Sequence, residues 1–530
     1  MARLPTSRAA LSALLIAGCL SLALLPAGCS SAPAPAPLPE VPAKPTGGKA
    51  PGAAFVHLFE WKWPDVAREC ETFLGPHGFA AVQISPPSEN VVLGGYPWWQ
   101  RYQIASYDLV SRSGNEEEFR DMVSRCNAAG VDVYVDAIIN HVSAQGAGVG
   151  ANGTKFTKYE YGDLYHEADF HSPHCSIADT DYAENADHVR TCELLHLADL
   201  NTGAPAVQQK IADYLARLVE MGVRGFRVDA AKHIAPAELK AIIQLVSDAV
   251  GPDRAPYYFF EVIDQGNEAI KASDYLDVAG TSGSTVDVTE FKYARIDDSF
   301  LNRNDKTLST LADTSESSWG LLPSDRAVVF TNNHDTQRND AVFYQDGALH
   351  DLANVFLLAF PYGYPQLMSS YAFDRQTDAG RSKGPPSDDM GHTSSIYAAG
   401  SDAPSCAPSP ATAQVGQWVC EHRSRSIVNM LAFRRATAGA AVTHVWQNGA
   451  NQLAFGREGK GFVVLNHEAA ALDRTFATDL PAGKYCDVLA GDAGDGKCSG
   501  PTIDVAADGS AHIQVGSDQA AAFFINAMVK

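Results

Sequence analysis

Two opposite charges stand two positions apart in the apolar run GFRVDAAKH, residues 225–233, which begins like a buried strand. Side chains alternate between the two faces of a strand, so Arg227 and Asp229 project from the same face. Burying a carboxylate without a partner is costly, so a buried strand keeps one only where it is paired or used. Carboxyl groups held in this way act as nucleophiles and as proton donors or acceptors.

Acidic residues follow other apolar runs in the same manner. One such residue alone could equally be a helix cap or half of a salt bridge. Several of them at the ends of neighbouring strands would converge on one mouth, and we interpret that pattern as an active site. The acids are Asp136, Asp229, Glu261 and Asp335, and the histidines close behind them are His141, His233 and His334.

The elements that must position these residues alternate between short apolar runs and amphipathic segments. EEEFRDMVSRCNAAG and AVQQKIADYLARLVEMG show the helical pattern, and each closes with glycine, as helices often do. Alternating strands and helices predict a parallel sheet. A (β/α)8 TIM barrel explains why polar residues gather at the strand ends, and a doubly wound sheet is the alternative. The predicted strands lie in GAAFVHLFEW, GFAAVQISPP, GVDVYVDAIINH, GFRVDAAKH, YYFFEVID and RAVVFTNNHD.

The pattern changes twice along the chain. Residues 140–200 are rich in Gly, Asp, His and Tyr and break the alternation, which indicates a small inserted domain B after the third strand. From residue 441 to 530 short strands with turn signals predict a C-terminal antiparallel β-sandwich. The barrel then comprises residues 53–139 and 201–440.

Composition limits the class of partner. The 530 residues are 45% hydrophobic, and 62 acidic against 40 basic groups give a net charge of −22. Such a chain is globular and large enough for more than one domain. Its negative charge disfavours nucleic acid and favours a neutral or small partner.

The N-terminus resembles an export signal. Arg3 and Arg8 precede a short apolar run, so residues 1–28 are predicted to be a signal peptide, and the Pro/Ala-rich residues 29–52 a tether. LPAGCSS resembles a bacterial lipoprotein site, which predicts lipid anchoring at the cell envelope through Cys29. Lipidation at Cys19 and ordinary secretion are the alternatives. The other eight cysteines form an even set in an exported chain, which indicates disulfides, although spacing alone does not give the pairing.

Several motifs in order resemble the α-amylases of glycoside hydrolase family 13, close to the animal-type branch. The likeness runs nearly end to end, from VHLFEWKWPDVAREC through YPWWQRYQ, DAIINH, GFRVDAAKH, EVID and NNHD to KYCDVLAGD. It implies an endo-acting, retaining α-1,4-glucan hydrolase that cleaves starch or glycogen. Asp229 is then the nucleophile, Glu261 the general acid/base and Asp335 the transition-state stabiliser. Arg227 is expected to hold Asp229 ionised.

The same resemblance implies the residues that bind the glucan. Trp98, Trp99 and Tyr102 offer flat faces for stacking against sugar rings, and Gln103 can bond hydroxyls. His141 and His334 would bond the central sugar, while Lys232 and His233 would line the leaving-group side. Arg227 belongs to the same set.

A Ca²⁺ site is implied as well. Asn140 and Asp199 match side-chain ligands, whereas Arg190 and His233 match positions that donate backbone carbonyls, and all of these are hard oxygens. The ion would tie the insert to the barrel. The resemblance also implies the disulfides Cys70–Cys126, Cys175–Cys192, Cys406–Cys420 and Cys486–Cys498.

Two departures from the family pattern affect the expectations. NHDTQRNDAVFYQDG lacks the glycine-rich loop of the animal members, so substrate gripping is expected to differ. Animal members bind chloride through positions that match Arg227 and Asn333 plus a second basic residue, which is Gln366 here. We therefore predict that chloride is not required. The protein is expected to be a monomer, and a glucanotransferase or a non-catalytic glycan-binding protein is the alternative function.

Overall fold

Eight parallel strands close into a barrel in the computed structural model, which describes residue 50 and residues 52–530. Neighbours in sequence are neighbours in the barrel, and the first strand pairs with the eighth, for example Val56 with Leu367. The predicted TIM barrel is confirmed, and the doubly wound alternative is wrong. The strands are β1 Phe55–Leu58, β2 Ala81–Ile84, β3 Asp132–Ala137, β4 Gly225–Val228, β5 Tyr257–Phe260, β6 Val286–Thr289, β7 Ala327–Val329 and β8 Tyr364–Ser369.

Aromatic side chains fill the amino-terminal end of the barrel. Phe55 lies between Tyr134, Phe259 and Tyr364, with ring centroids 4.8–5.5 Å apart. This packed layer leaves the interior near the carboxyl ends of the strands for polar residues, which is where the chemistry of this architecture is found.

Helices cover the outside of the barrel and begin and end at recognisable signals. The helix Glu116–Ala128 starts with a capping box between Asn115 and Glu118 and is followed by Gly130 in the left-handed region. The longer helices are α1 Trp63–Glu69, α2 Glu116–Ala128, α3 Pro205–Glu220, α4 Pro236–Val250, α5 Ala348–Ala359 and α6 Arg425–Ala436. Short α-helices are Gly75–His77, Asp181–Glu184, Ala186–Thr191, Ile296–Phe300, Glu316–Trp319 and Asp378–Ser382.

The segment between β3 and α3 contains little regular structure. A hairpin pairs Ala147–Val149 with Lys155–Thr157, and two short helices follow it. The segment returns to the barrel where His141 and Asp199 pair as an isolated bridge. It therefore stands over the carboxyl end of β3.

Two antiparallel sheets follow α6. One orders the strands Val442–Gln447, Gln452–Arg457, Gly461–Asn466 and Gln519–Phe524, and the other contains Leu472–Ala477, Ser510–Val515, Thr502–Val505, Gly483–Cys486 and Met528–Val529. Arg457 ties this part to the barrel, because its guanidinium donates to the carbonyl of Ala359, the last residue of α5, and to those of Thr437 and Ala440 just after α6. A cation at helix carboxyl ends also interacts favourably with their dipoles.

Four disulfides join the pairs that the resemblance implied, which are Cys70–Cys126, Cys175–Cys192, Cys406–Cys420 and Cys486–Cys498. They indicate an exported protein that matures in an oxidising compartment. Among the described residues, no helix is both long and apolar enough to cross a bilayer. The predicted signal peptide, Cys19 and Cys29 lie outside the described residues, as does most of the tether.

Candidate active site

A cavity of about 350 Å³ opens at the carboxyl ends of the barrel strands. The strand ends, the loop after β2 and the insert all contribute to its wall. This is the mouth on which the sequence analysis expected the acids to converge. The lining residues are Trp98, Trp99, Tyr102, Gln103, His141, Leu194, Leu195, Leu197, Asp229, Ala230, Glu261, Ile263, His334 and Asp335.

Arg227 lies buried beside the acids and binds three of them. Its Nη1 donates to Asp136 at 2.6 Å and to Asp229 at 2.9 Å, and its Nη2 donates to Glu261 through a short hydrogen bond. Strand register explains the arrangement, because Arg227 pairs with Asp136 of β3 and with Phe259 of β5, two residues before Glu261. Arg227 therefore binds three acids and not Asp229 alone.

Burial and repulsion between like charges raise the pKa values of the acids in this cluster. Burial raises the pKa of Asp229 well above its usual range. Arg227 opposes that shift, whereas Glu261 and Asp136 add to it. Burial likewise raises the pKa of Asp136, and Arg227 again opposes it. The prediction that Arg227 keeps Asp229 ionised is therefore right only in the sign of its contribution, because one guanidinium cannot neutralise three carboxylates.

Backbone geometry positions Glu261. Ala230 has φ 50°, in the left-handed region that non-glycine residues rarely adopt, and its amide donates to Glu261 at 3.0 Å. Residues strained in this way concentrate at functional sites. An alanine gives no sign in the sequence of a left-handed conformation, so the role of Ala230 could not be predicted from residue type.

His334 lies between the remaining acid and the arginine cluster. His334 Nε2 lies 3.1 Å from Asp335 and 2.8 Å from the hydroxyl of Tyr102, which donates to Asp136 at 2.8 Å. Asp335 is the most open of the acids, with 44% of its side chain exposed, compared with 11% for Asp229 and for Glu261. It therefore faces the cavity, while Asp229 and Glu261 lie deeper.

The aromatic residues of YPWWQRYQ form one wall. The Trp98 indole donates to the carbonyl of Arg381 at 2.8 Å, and Arg338 lies over its ring at 4.5 Å. Trp99 and Tyr102 are half-buried. The side-chain oxygen of Gln103 accepts from Ser143 at 2.9 Å. Only the amide nitrogen of Gln103 is thus left for a ligand.

Both cavity histidines are neutral at physiological pH. Burial lowers the pKa of His141 to about 4, and burial followed by the charge of Arg227 lowers the pKa of His334 well below its usual range. His141 Nε2 donates to the carbonyl of Tyr102 at 3.1 Å. Neutral imidazoles suit hydrogen bonding to uncharged hydroxyls.

Two predicted substrate residues lie away from the cavity wall. Lys232 is buried and donates to the carbonyl of Ile263 at 2.7 Å, with the ring of Tyr182 5.0 Å away. His233 is buried and contacts the carbonyl of Val189 at 2.8 Å. Both follow the left-handed turn at Ala230. That they line the leaving-group side of the bound glucan stays a prediction.

The four residues predicted to hold calcium surround the base of the insert. Asn140 Nδ2 is 3.4 Å from Asp199, and His233 contacts the residue that precedes Arg190. Burial raises the pKa of Asp199 to about 7, although His171, whose Nδ1 lies 2.6 Å from the Asp199 carboxylate, opposes that shift. Over residues 50 and 52–530, no cluster of three or more His, Cys, Asp or Glu side chains is placed to bind a metal. A cation here would depend on one carboxylate, one amide and backbone carbonyls.

Comparison with known proteins identifies the family that shares this architecture. A family profile of the α-amylase catalytic domain matches residues 78–259, and one of the α-amylase C-terminal all-beta domain matches residues 444–526. Pancreatic alpha-amylase 2a5 of Mus musculus is 41% identical over 485 residues, which cover 87% of this chain and 92% of that protein. The chain belongs to the animal-type α-amylase family.

Solved α-amylase structures share the whole fold. Wild-type α-amylase I of Eisenia fetida aligns with a TM-score of 0.80 at 36% identity, over 90% of this chain and 98% of that one. A mutant of the Eisenia fetida enzyme with glutamine in place of one glutamate, in complex with maltohexaose, aligns with the same TM-score over 91% and 99% of the two chains. The resemblance seen in the α-amylase motifs is thus confirmed.

Proposed function

We propose that the protein is an endo-acting α-amylase that hydrolyses the α-1,4 bonds of starch or glycogen with retention of configuration. One observation carries the proposal. A single buried guanidinium, that of Arg227, bridges Asp229 and Glu261 at the cavity wall of an α-amylase fold. Such bridging keeps the two carboxyls close, and retaining glycosidases hold theirs about 5 Å apart.

The three acids have different roles in this mechanism. Asp229 attacks the anomeric carbon and forms a glycosyl-enzyme, while Glu261 protonates the departing oxygen. Glu261 then removes a proton from water, which releases the sugar from Asp229. Asp335, open to the cavity, stabilises the positive charge that develops on the distorted ring.

The proton that Glu261 needs is supplied by the balance of charge in the cluster. Three buried carboxyls share the single positive charge of Arg227, so full ionisation would leave two uncompensated negative charges. The cluster therefore retains a proton at neutral pH, and such a proton belongs to the coupled group as a whole. The mechanism requires a proton at the carboxyl that donates to the departing oxygen.

Incubation with soluble starch tests the function directly. Internal cleavage lowers viscosity faster than it releases reducing ends, and NMR of fresh products should show α-anomers. A burst of β-anomers contradicts retention. A glucanotransferase is the second candidate because it uses the same acids, and maltooligosaccharides longer than the substrate, formed without matching release of reducing ends, would identify it.

We propose that Ca²⁺ binds where the insert meets the barrel, held by the side chains of Asn140 and Asp199 and the carbonyls of Arg190 and His233. The buried carboxyl of Asp199 would supply the negative charge, and the remaining donors are the neutral oxygens that calcium accepts. The bound ion would supply positive charge that joins the insert to the barrel, and it takes no part in bond cleavage.

Removal of calcium should lower the melting temperature by several degrees. An ion that binds only the folded state and is present at 100 times its dissociation constant stabilises that state by about 2.7 kcal/mol. Scanning calorimetry after long incubation with EDTA measures the effect, and added Ca²⁺, but not Mg²⁺, should reverse it. An unchanged melting temperature would count against the site.

We further propose that activity does not depend on chloride. Gln366 is buried and donates to Gln83 through a short hydrogen bond, so a neutral amide that already has a partner occupies the position of the second basic ligand. Charge-assisted hydrogen bonds are about twice as strong as neutral ones, so an anion would bind weakly. Activity of dialysed protein should not change in a chloride titration, and Gln366→Arg should create a saturable response. Saturable activation of the unaltered protein would contradict the proposal.

Export to the cell envelope and anchoring through a lipid on Cys29 complete the proposal, with the protein acting as a monomer. The basis for the anchor is the sequence motif LPAGCSS alone. The mass of the N-terminal peptide of the mature protein distinguishes a lipid on Cys29 from one on Cys19 and from an unmodified chain. Light scattering of detergent-free protein truncated before residue 50 measures the oligomeric state.

A further inference from the structure

The apolar side chain of Leu195 lies exposed at the rim of the catalytic cavity. Its exposed fraction is 80%, the largest value among the exposed large hydrophobic residues of the described chain. It lines the same cavity as Asp229 and Glu261, and Ile263, which is 43% exposed, lines it as well. Exposed aliphatic groups that share a cavity with catalytic acids are available to an incoming ligand.

The backbone of Leu195 adopts an unfavourable conformation. Its φ and ψ are 50° and 33°, and the next residue, His196, has φ 67°. The left-handed region is costly for residues that carry a Cβ atom, and few aliphatic residues adopt it. Two such residues in succession persist only where their surroundings hold them, and strain of this kind is concentrated at ligand-binding segments.

The flanking residues supply that support. On one side Cys192 is joined to Cys175, and the buried Glu193 accepts from Lys158 and from the hydroxyl of Tyr159, each at 2.8 Å. On the other side the amide of Leu197 donates to the carbonyl of Leu194 at 2.9 Å. The strained turn is therefore fixed at both ends, and it presents Leu195 at a defined place in the rim.

We propose that Leu195 is a specificity-determining residue, whose side chain packs against the apolar C–H face of a glucose unit bound beside the catalytic acids. The inference rests on the proposed hydrolysis of α-glucans and adds a contact to it. A pyranose ring has an apolar face as well as hydroxyls, and Leu195 loses exposed surface when such a ring covers it. The fixed turn means that little conformational entropy is lost on binding.

Leu195→Asn tests the contact, because asparagine tolerates the left-handed region while it removes the aliphatic side chain. With maltooligosaccharides of defined length we expect KM to rise about three- to tenfold, as loss of one aliphatic contact predicts. We expect kcat to stay within about twofold and the melting temperature not to fall, because the new residue is better suited to the backbone.

Two control variants make the result specific. Leu195→Met keeps an apolar side chain and should keep KM near that of the parent protein. Val445→Asn alters another exposed aliphatic residue, 47% exposed and in the C-terminal sheets, and should leave KM unchanged. An unchanged KM in Leu195→Asn, or an equal rise in Leu195→Met, overturns the proposal. If the parent protein itself fails to release α-anomers from starch, the proposed function has failed, whatever the variants do.

Discussion

Asp229→Asn is expected to lower kcat on starch by about 1,000-fold or more, because an amide cannot form the glycosyl-enzyme. Glu261→Gln is expected to lower it by about 100- to 10,000-fold, the usual contribution of a general acid/base. Both changes are nearly isosteric and leave an oxygen that can accept from Arg227. Far-ultraviolet circular dichroism should therefore match that of the parent protein.

An activated substrate separates the two roles. A glycosyl fluoride has a leaving group that needs little protonation, so Glu261→Gln should retain much of the glycosylation step on it, and Asp229→Asn should not. Glu421→Gln is the matched control, since Glu421 is also buried and burial raises its pKa to about 7, yet it does not line the cavity. Turnover of starch by Asp229→Asn within tenfold of the parent would refute the assignment.

Arg227→Met should abolish most activity and destabilise the protein by about 3–5 kcal/mol, because it leaves buried carboxylates without their cation. The loss of folding stability should depend on pH. Burial already raises the pKa of Asp229 above its unfolded value, and loss of Arg227 raises it further. A carboxyl whose pKa is raised on folding favours the folded state when protonated. Stability is therefore lost as pH rises above about 4, the unfolded carboxyl pKa.

Thermal unfolding between pH 5 and pH 8 measures this dependence as the difference in melting temperature between variant and parent. Arg457→Met is the control, because Arg457 is buried against backbone carbonyls that do not titrate. The difference in melting temperature between Arg457→Met and the parent should be the same from pH 5 to pH 8. A deficit in Arg227→Met that does not grow with pH would show that the lost contribution is packing and not charge.

The periodicity of apolar residues and the acids at the ends of apolar runs predict much of the barrel and of the candidate site. Apolar runs that end in acids predicted the mouth at which Asp229, Glu261 and Asp335 meet. The runs that form β6 and β8 were not predicted, since VDVT carries polar residues at every second position and YPQLMS has no acid at its end. Such strands are recognisable only because the barrel needs eight.

Side-chain direction after a strand was the least predictable property. Lys232 and His233 follow the left-handed turn at Ala230, and their side chains contact the backbone carbonyls of Ile263 and Val189. Backbone dihedral angles of this kind have no signal in residue type, and the same is true of Leu195. The bonds of Arg227 to three acids depend on register between strands that are distant in sequence.

The pairing of β1 with β8 has a consequence for the order of synthesis. The barrel cannot close until Tyr364–Ser369 has been made, although Phe55–Leu58 is among the first parts of it to be translated. At about 5–20 residues per second, roughly 15 to 60 seconds separate the two strands. Arg457, which fixes the ends of α5 and α6, emerges later still. One edge of the first barrel strand therefore stays unpaired during most of translation. In that interval the nascent chain is most exposed to aggregation and proteolysis.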